Sequence, residues 1–128
     1  MKITTNKIAK EMMKALEDYN GSTIEEVREA VKEVTKEARD IVRQQANSYG
    51  WTQYPKSIDQ KVQNTSTGAI GVVYAREPDY VRAHLLEHGH AVVRGGKRVG
   101  QARPFPHFAK GQEHIERELI QRVKEKMR

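Results

Sequence analysis

Four of the five histidines of this 128-residue chain lie between positions 84 and 107, three of them within His84-Leu85-Leu86-Glu87-His88-Gly89-His90. His84-x-x-Glu87-His88 spells H-x-x-E-H, the inverted form of a zinc-protease motif. On a helix, His84 and His88 stand four apart and share a face, so both imidazoles can reach one zinc ion. Glu87 can then serve as base on a metal-bound water, with His90 as a third ligand. Three features oppose this chemistry. Gly89 follows His88 directly, and glycine commonly ends a helix, so the motif falls on a last turn. Leu85-Leu86 between the histidines reads as core. A catalytic zinc also needs a substrate cleft and groups that orient its ligands, for which so short a chain leaves little room. The expectation is a short amphipathic helix with its leucines inward and its histidines at the edge, and with no catalytic residue, metal or cofactor. Glu87 and Gly89 then shape a turn, Gly89 by taking a backbone conformation that side chains disfavour.

The elements that must position this stretch read as one domain over residues 1–128. Ile8, Met12, Met13, Leu16 and Tyr19 fall near a helical period, which predicts a first helix over residues 4–19, stopped by Asn20-Gly21. Ser22 or Thr23, with Glu25 or Glu26 three residues on, forms a capping box for a second helix. Ile24, Val27, Val31, Val34, Ala38, Ile41 and Val42 then make one apolar stripe to about residue 47, so that residues 1–48 are helical. So narrow a stripe needs a partner surface, either the chain's own sheet or a neighbouring subunit. Trp51, in the aromatic loop after it, reads as an anchor to the core. Ile58, Gln60 and Val62 alternate, and Ala69 to Tyr74 is rich in β-branched residues, which predicts a hairpin over 56–76 with Asn64 to Gly68 as turn. Only the hairpin is fixed by the pattern; two strands alone are marginal, which leaves room for a third from elsewhere. Residues 80–90 are the short helix and turn. Residues 91–103 read as a mobile loop or flared hairpin around Gly95-Gly96. Pro104 and Pro106 fix an extended approach to a last helix over 107–126, with Phe105, Phe108, Ile115, Leu119, Ile120 and Val123 as its apolar stripe. The fold class is α+β: a long N-terminal and a C-terminal helix packed on a small antiparallel sheet, with a mobile basic loop.

Composition narrows the function. There is no cysteine, so there is no disulfide framework or thiol chemistry. Aromatic residues make up only 6%, which disfavours a stacking platform for single-stranded nucleic acid. No apolar run is long enough for a membrane span, and Met1-Lys2-Ile3-Thr4 does not open a signal peptide, so a cytoplasmic protein is expected. The net charge of +6 is uneven. Residues 1–90 balance, and Arg94, Lys97, Arg98 and Arg103 then follow with no acidic residue among them. That makes a local electropositive loop able to face phosphate or carboxylate groups. No helix-turn-helix, zinc-finger or ribonucleoprotein pattern accompanies it, so a basic nucleic-acid-binding module rests on charge alone.

The order of these features resembles the tailed-bacteriophage neck family, also known as the tail-component or tail-completion family. The likeness is carried by the Leu85-Leu86-Glu87-His88-Gly89-His90 block, the Gly95-Gly96 basic loop and Pro104-Phe105-Pro106-His107-Phe108 before the last helix. It covers nearly the whole chain. Arg103 to Phe108 mixes two variants of the family's approach to the last helix. The resemblance implies a non-enzymatic virion protein, made in the host cytoplasm and built into a ring at the head–tail junction or the tail end. Its partners would be copies of itself and neighbouring connector, tail-terminator or tail-tube proteins. The loop residues Arg94, Lys97, Arg98 and Arg103 would face DNA in the channel or an acidic neighbouring ring. No membrane partner is implied. The alternative is a small zinc-dependent hydrolase built on His84, Glu87 and His88.

Overall fold

A computed structural model describes residues 1–15 and 23–127. The fold is α+β, as the sequence predicts. Strand β1 (Lys2–Thr4) leads through a 3-10 turn (Thr5–Ile8) into helix α1 (Ala9–Ala15). Helix α2 (Thr23–Ser48) follows, then β2 (Ile58–Thr65), β3 (Gly68–Ala75), α3 (Tyr80–His88), β4 (His90–Arg94), β5 (Lys97–Ala102) and α4 (Phe108–Lys126). The strands form an antiparallel sheet in the order β1-β3-β2 and a separate β4-β5 hairpin.

The third strand is the chain's own N-terminus. Lys2, Ile3 and Thr4 pair with Tyr74, Val73 and Val72 of β3. The predicted first helix therefore begins at Ala9, not at residue 4, because the backbone of residues 2–4 bonds to the sheet. Ile8 and Met12 are buried as the helical period requires. Leu16, Tyr19, the Asn20-Gly21 stop and the capping box at Ser22 lie outside the described residues. The β2–β3 ladder runs from Ile58↔Ala75 to Thr65↔Gly68, so Asn64 and Gly68, expected in the turn, are strand residues and only Ser66-Thr67 turns.

Helix α2 is the spine. Val27, Val31, Val34, Ala38, Val42 and Ala46 are buried, together with Ala30 and Thr35, between the sheet and α4. Ile24 is exposed and Ile41 half-buried, so the stripe is narrower at its ends than its apolar residues suggest. Its partner surface is the chain's own sheet and last helix, which removes it as an interface for other subunits. Two close approaches make that packing possible. A Cβ at Gly71 of β3 would lie 1.9 Å from Thr35 Oγ1, and one at Gly111 of α4 would lie 2.6 Å from Val42 Cγ2 and 3.3 Å from the Ala38 carbonyl oxygen. On the outer side, Arg122 of α4 holds Glu37 at 2.7 Å and Glu33 at 3.1 Å on α2.

Candidate functional site

The site is built where α3 meets the start of α4. Helix α3 is anchored by Asp79, which accepts the Ser57 hydroxyl and pairs with Arg82. Its inward face is Ala83 and Glu87, four residues apart and both buried, with Leu86 half-buried beside them. Leu85, expected in the core, is instead 38% exposed. The reason is angular: a residue two before Glu87 on a helix points to the far side once Glu87 points in.

Glu87 faces inward because α4 lacks a cap of its own. The four residues before Phe108 are Pro104, Phe105, Pro106 and His107, with no Ser, Thr, Asp or Asn among them, and His107 makes no side-chain cap bond. The first amides of a helix have no intrahelical acceptor. Glu87 supplies one from another helix. Its Oε1 accepts the amides of His107 at 2.9 Å and Phe108 at 2.8 Å, and its Oε2 accepts that of Ala109 at 3.1 Å. A carboxylate at a helix N-terminus also meets the positive end of the helix dipole. The three amides occupy both oxygens, so the carboxylate is committed to α4.

A buried polar chain continues from this cap. The His107 ring has no exposed surface. Its Nδ1 lies 2.8 Å from the Phe105 carbonyl oxygen and 3.1 Å from Glu87 Oε1, and its Nε2 lies 2.7 Å from the Tyr54 hydroxyl. A carbonyl only accepts, so in the neutral ring Nδ1 carries the hydrogen and Nε2 accepts from Tyr54 O–H. Burial lowers the His107 pKa, opposed by the Phe105 carbonyl and the Glu87 charge. Burial, reinforced by Glu87 and Asp79, raises that of Tyr54. Trp51 packs edge-on against Tyr54, Phe105 and His107 at ring separations of 5.4 to 5.6 Å, and Tyr49 O–H donates to the Pro106 carbonyl at 2.7 Å. Trp51 is thus the loop anchor that its place in the sequence suggests. Tyr54 and His107 were missed as a pair. The available signal was an uncapped, proline-framed helix start, which demands a polar partner from elsewhere.

Gly89 closes the knot. It takes φ +75°, and a Cβ there would stand 2.6 Å from the Ala102 carbonyl oxygen and 3.1 Å from Pro104 N. Pro104 and Pro106 hold the extended stretch between, where Phe105 N–H donates to the Leu86 carbonyl at 2.7 Å.

His84 and His88 lie along an exposed flank of α3, beside its buried face. Both are exposed, and their ring centroids are 4.8 Å apart. His90, also exposed, opens β4. Among the described residues, no group of three or more His, Cys, Asp or Glu side chains is arranged to hold a metal. A hollow of about 490 Å³ lies between the N-terminal 3-10 turn, the start of α2 and the β2–β3 turn, and a second of about 800 Å³ lies between α2 and β2. Neither is lined by His84, Glu87 or His88.

The basic segment takes the hairpin form, with β4 and β5 paired. Gly95 (φ +57°) and Gly96 (φ +77°) make its two-residue turn, the positive-φ pair that a tight hairpin of this kind needs. Its ladder runs from His90↔Ala102 to Arg94↔Lys97, with an irregularity at Val92/Val93 that leaves Val99 without a partner. Arg94 and Lys97 are cross-strand neighbours of like charge, an arrangement that destabilises an isolated ladder. Arg98 donates to Gln101, and the Arg103 guanidinium lies 4.6 Å from the Phe105 ring centroid. Among the described residues, no carboxylate pairs with any of these four cations. Val93 and Val99 are 60% and 58% exposed, and Tyr80, Val81 and Leu85 add further apolar surface on α3.

Helix-capped by a buried glutamate and extended by a basic ribbon, the chain is an α+β domain with a tied interior and an open arm. Comparison with protein-family models, with curated proteins and with solved structures gave no match. Among the described residues, no helix is long and apolar enough to cross a membrane.

Proposed function

We propose that this chain is a non-enzymatic structural protein of a tailed-phage virion, a ring-forming component of the head–tail connector or tail end. The observation that carries this reading is the β4–β5 hairpin. A two-stranded ribbon is marginal alone, and this one, among the described residues, presents Arg94, Lys97 and Arg98 with no paired carboxylate and Val93 and Val99 exposed. Such a surface fits a partner better than it fits solvent. The stripe of α2 is already covered, so the arm is where copies of the chain, or a neighbouring connector, terminator or tube protein, would meet it. DNA in the channel is the other polyanion that the arm suits. The resemblance to the neck and tail-completion family supports the same reading, and assembly in the host cytoplasm followed by incorporation into the virion goes with it. What weighs against the hydrolase alternative is that Glu87 is buried and already accepts three amides.

The test is to replace Arg94, Lys97 and Arg98 together by glutamine in the phage that encodes the chain. Exposed substitutions of this kind shift stability by no more than about 0.5 kcal/mol, so folding is expected to persist while particle assembly and infectivity fall. Normal infectious particles from the triple variant would contradict the role given to the hairpin.

A further inference from the structure

The burial of Glu87 leaves the two histidines beside it free for different chemistry. His84 and His88 stand one helical turn apart on an exposed flank of α3. Among the described residues, neither ring bonds to another side chain or to the backbone. Their centroids are 4.8 Å apart and their planes are inclined by 56°. Metal–imidazole bonds are about 2.0–2.1 Å long, which puts each ring centre about 3.2 Å from a shared ion. Two such rings are then separated by about 4.5 Å at a right angle between the bonds and about 5.2 Å at a tetrahedral one. The observed spacing falls between those limits without movement of the helix.

We infer that His84 and His88 form a two-imidazole clip for a divalent transition-metal ion of the zinc, nickel or copper class, with water completing the coordination. Imidazole selects these ions over magnesium or calcium, which prefer oxygen ligands. The clip uses neither Glu87 nor His90 and supports no hydrolysis. It acts on structure. An ion held by residues four apart fastens the last turn of α3, the turn that presents Glu87 to α4 and from which Gly89 turns the chain into the basic hairpin. This inference does not depend on the virion assignment.

Calorimetric titration of untagged protein with zinc chloride, and separately with nickel chloride, tests it. At about pH 7.5 one ion per chain should bind, and the thermal unfolding midpoint should rise with ion concentration. His84→Ala and His88→Ala should each weaken binding at least tenfold and abolish that rise. His90→Ala should leave both within about twofold. Both substituted side chains are exposed, so the variants should fold, which far-ultraviolet circular dichroism checks. Absence of saturable binding, binding that survives both substitutions, or a loss in His90→Ala as large as in His84→Ala would overturn the clip.

Discussion

The start of α4 and the β4–β5 hairpin are adjacent in the chain and are built on opposite principles. At the start of α4, each of the first three amides has an acceptor, the imidazole has partners on both nitrogens, and aromatic rings exclude water. In the hairpin, among the described residues, no carboxylate pairs with the charges, the valines are exposed, and like charges face each other across the ladder. Both regions have regular secondary structure. The difference is that one satisfies its polar groups within the chain and the other leaves them for something outside it. A motif that spells catalysis is divided between the two environments, with its glutamate in the first and its histidines at the border of the second.

The comparison can be broken most severely at Glu87. Hydrogen bonds to a charged group contribute about 1.5–3 kcal/mol each, and orphaned buried donors cost more than the bonds lost. Glu87→Ala should therefore destabilise the protein by about 5 kcal/mol or more in urea unfolding, with Glu87→Gln intermediate because the amide keeps one acceptor oxygen. Glycines sharpen the contrast next. Gly71→Ala forces a Cβ into Thr35 and should cost about 2–3 kcal/mol. Gly100→Ala in the hairpin meets nothing within 4 Å and should stay within about 0.5 kcal/mol. Equal losses in the two variants would mean that the two regions are packed alike.

A smaller effect should appear with pH. The folded-state pKa of His107 is below its unfolded value, so the folded state binds fewer protons between the two. The contribution of His107 is complete above its unfolded value of about 6.5 and is lost as pH falls toward the lowered folded one. Thermal midpoints should decline from about pH 7 to 5, and His107→Leu should flatten that decline while lowering the curve as a whole. Below the ordinary carboxylate range a further fall is expected, because Lys126 and Arg122 hold Glu33, and Arg122 and His114 hold Glu37, below their usual values. The smallest change in stability should come from the hairpin triple variant, whose expected loss is in assembly.

How far these features could be read in the sequence follows from the range of the forces. Helices α2 and α4 and the β2–β3 hairpin carry their periodicity locally, and so does the Gly95-Gly96 turn. Strand β1 does not: three residues show no period, and its partners Val72 to Tyr74 lie far along the chain. The hairpin was obscured by the unpaired Val99, which breaks the alternation, so the segment read equally well as a mobile loop. The capping role of Glu87 was invisible as a contact, because acceptor and donors are on different helices. It was legible only as a deficit, the missing cap residue before Phe108. Leu85 misled for the converse reason, since an apolar type says nothing about which side a short helix turns inward.

Amide hydrogen exchange at His107, Phe108 and Ala109, followed by nuclear magnetic resonance in the unmodified protein and in Glu87→Gln, bears most directly on Glu87 as structure. First-turn amides of a helix ordinarily exchange quickly, because no carbonyl of the helix reaches them. Here all three should be protected to nearly the level of the core of α4, and the substitution should release Ala109 first, since the remaining oxygen can serve the other two. Rapid exchange of the three amides in the unmodified protein would contradict the account, because it would leave the Glu87 carboxylate free for the chemistry that its motif spells.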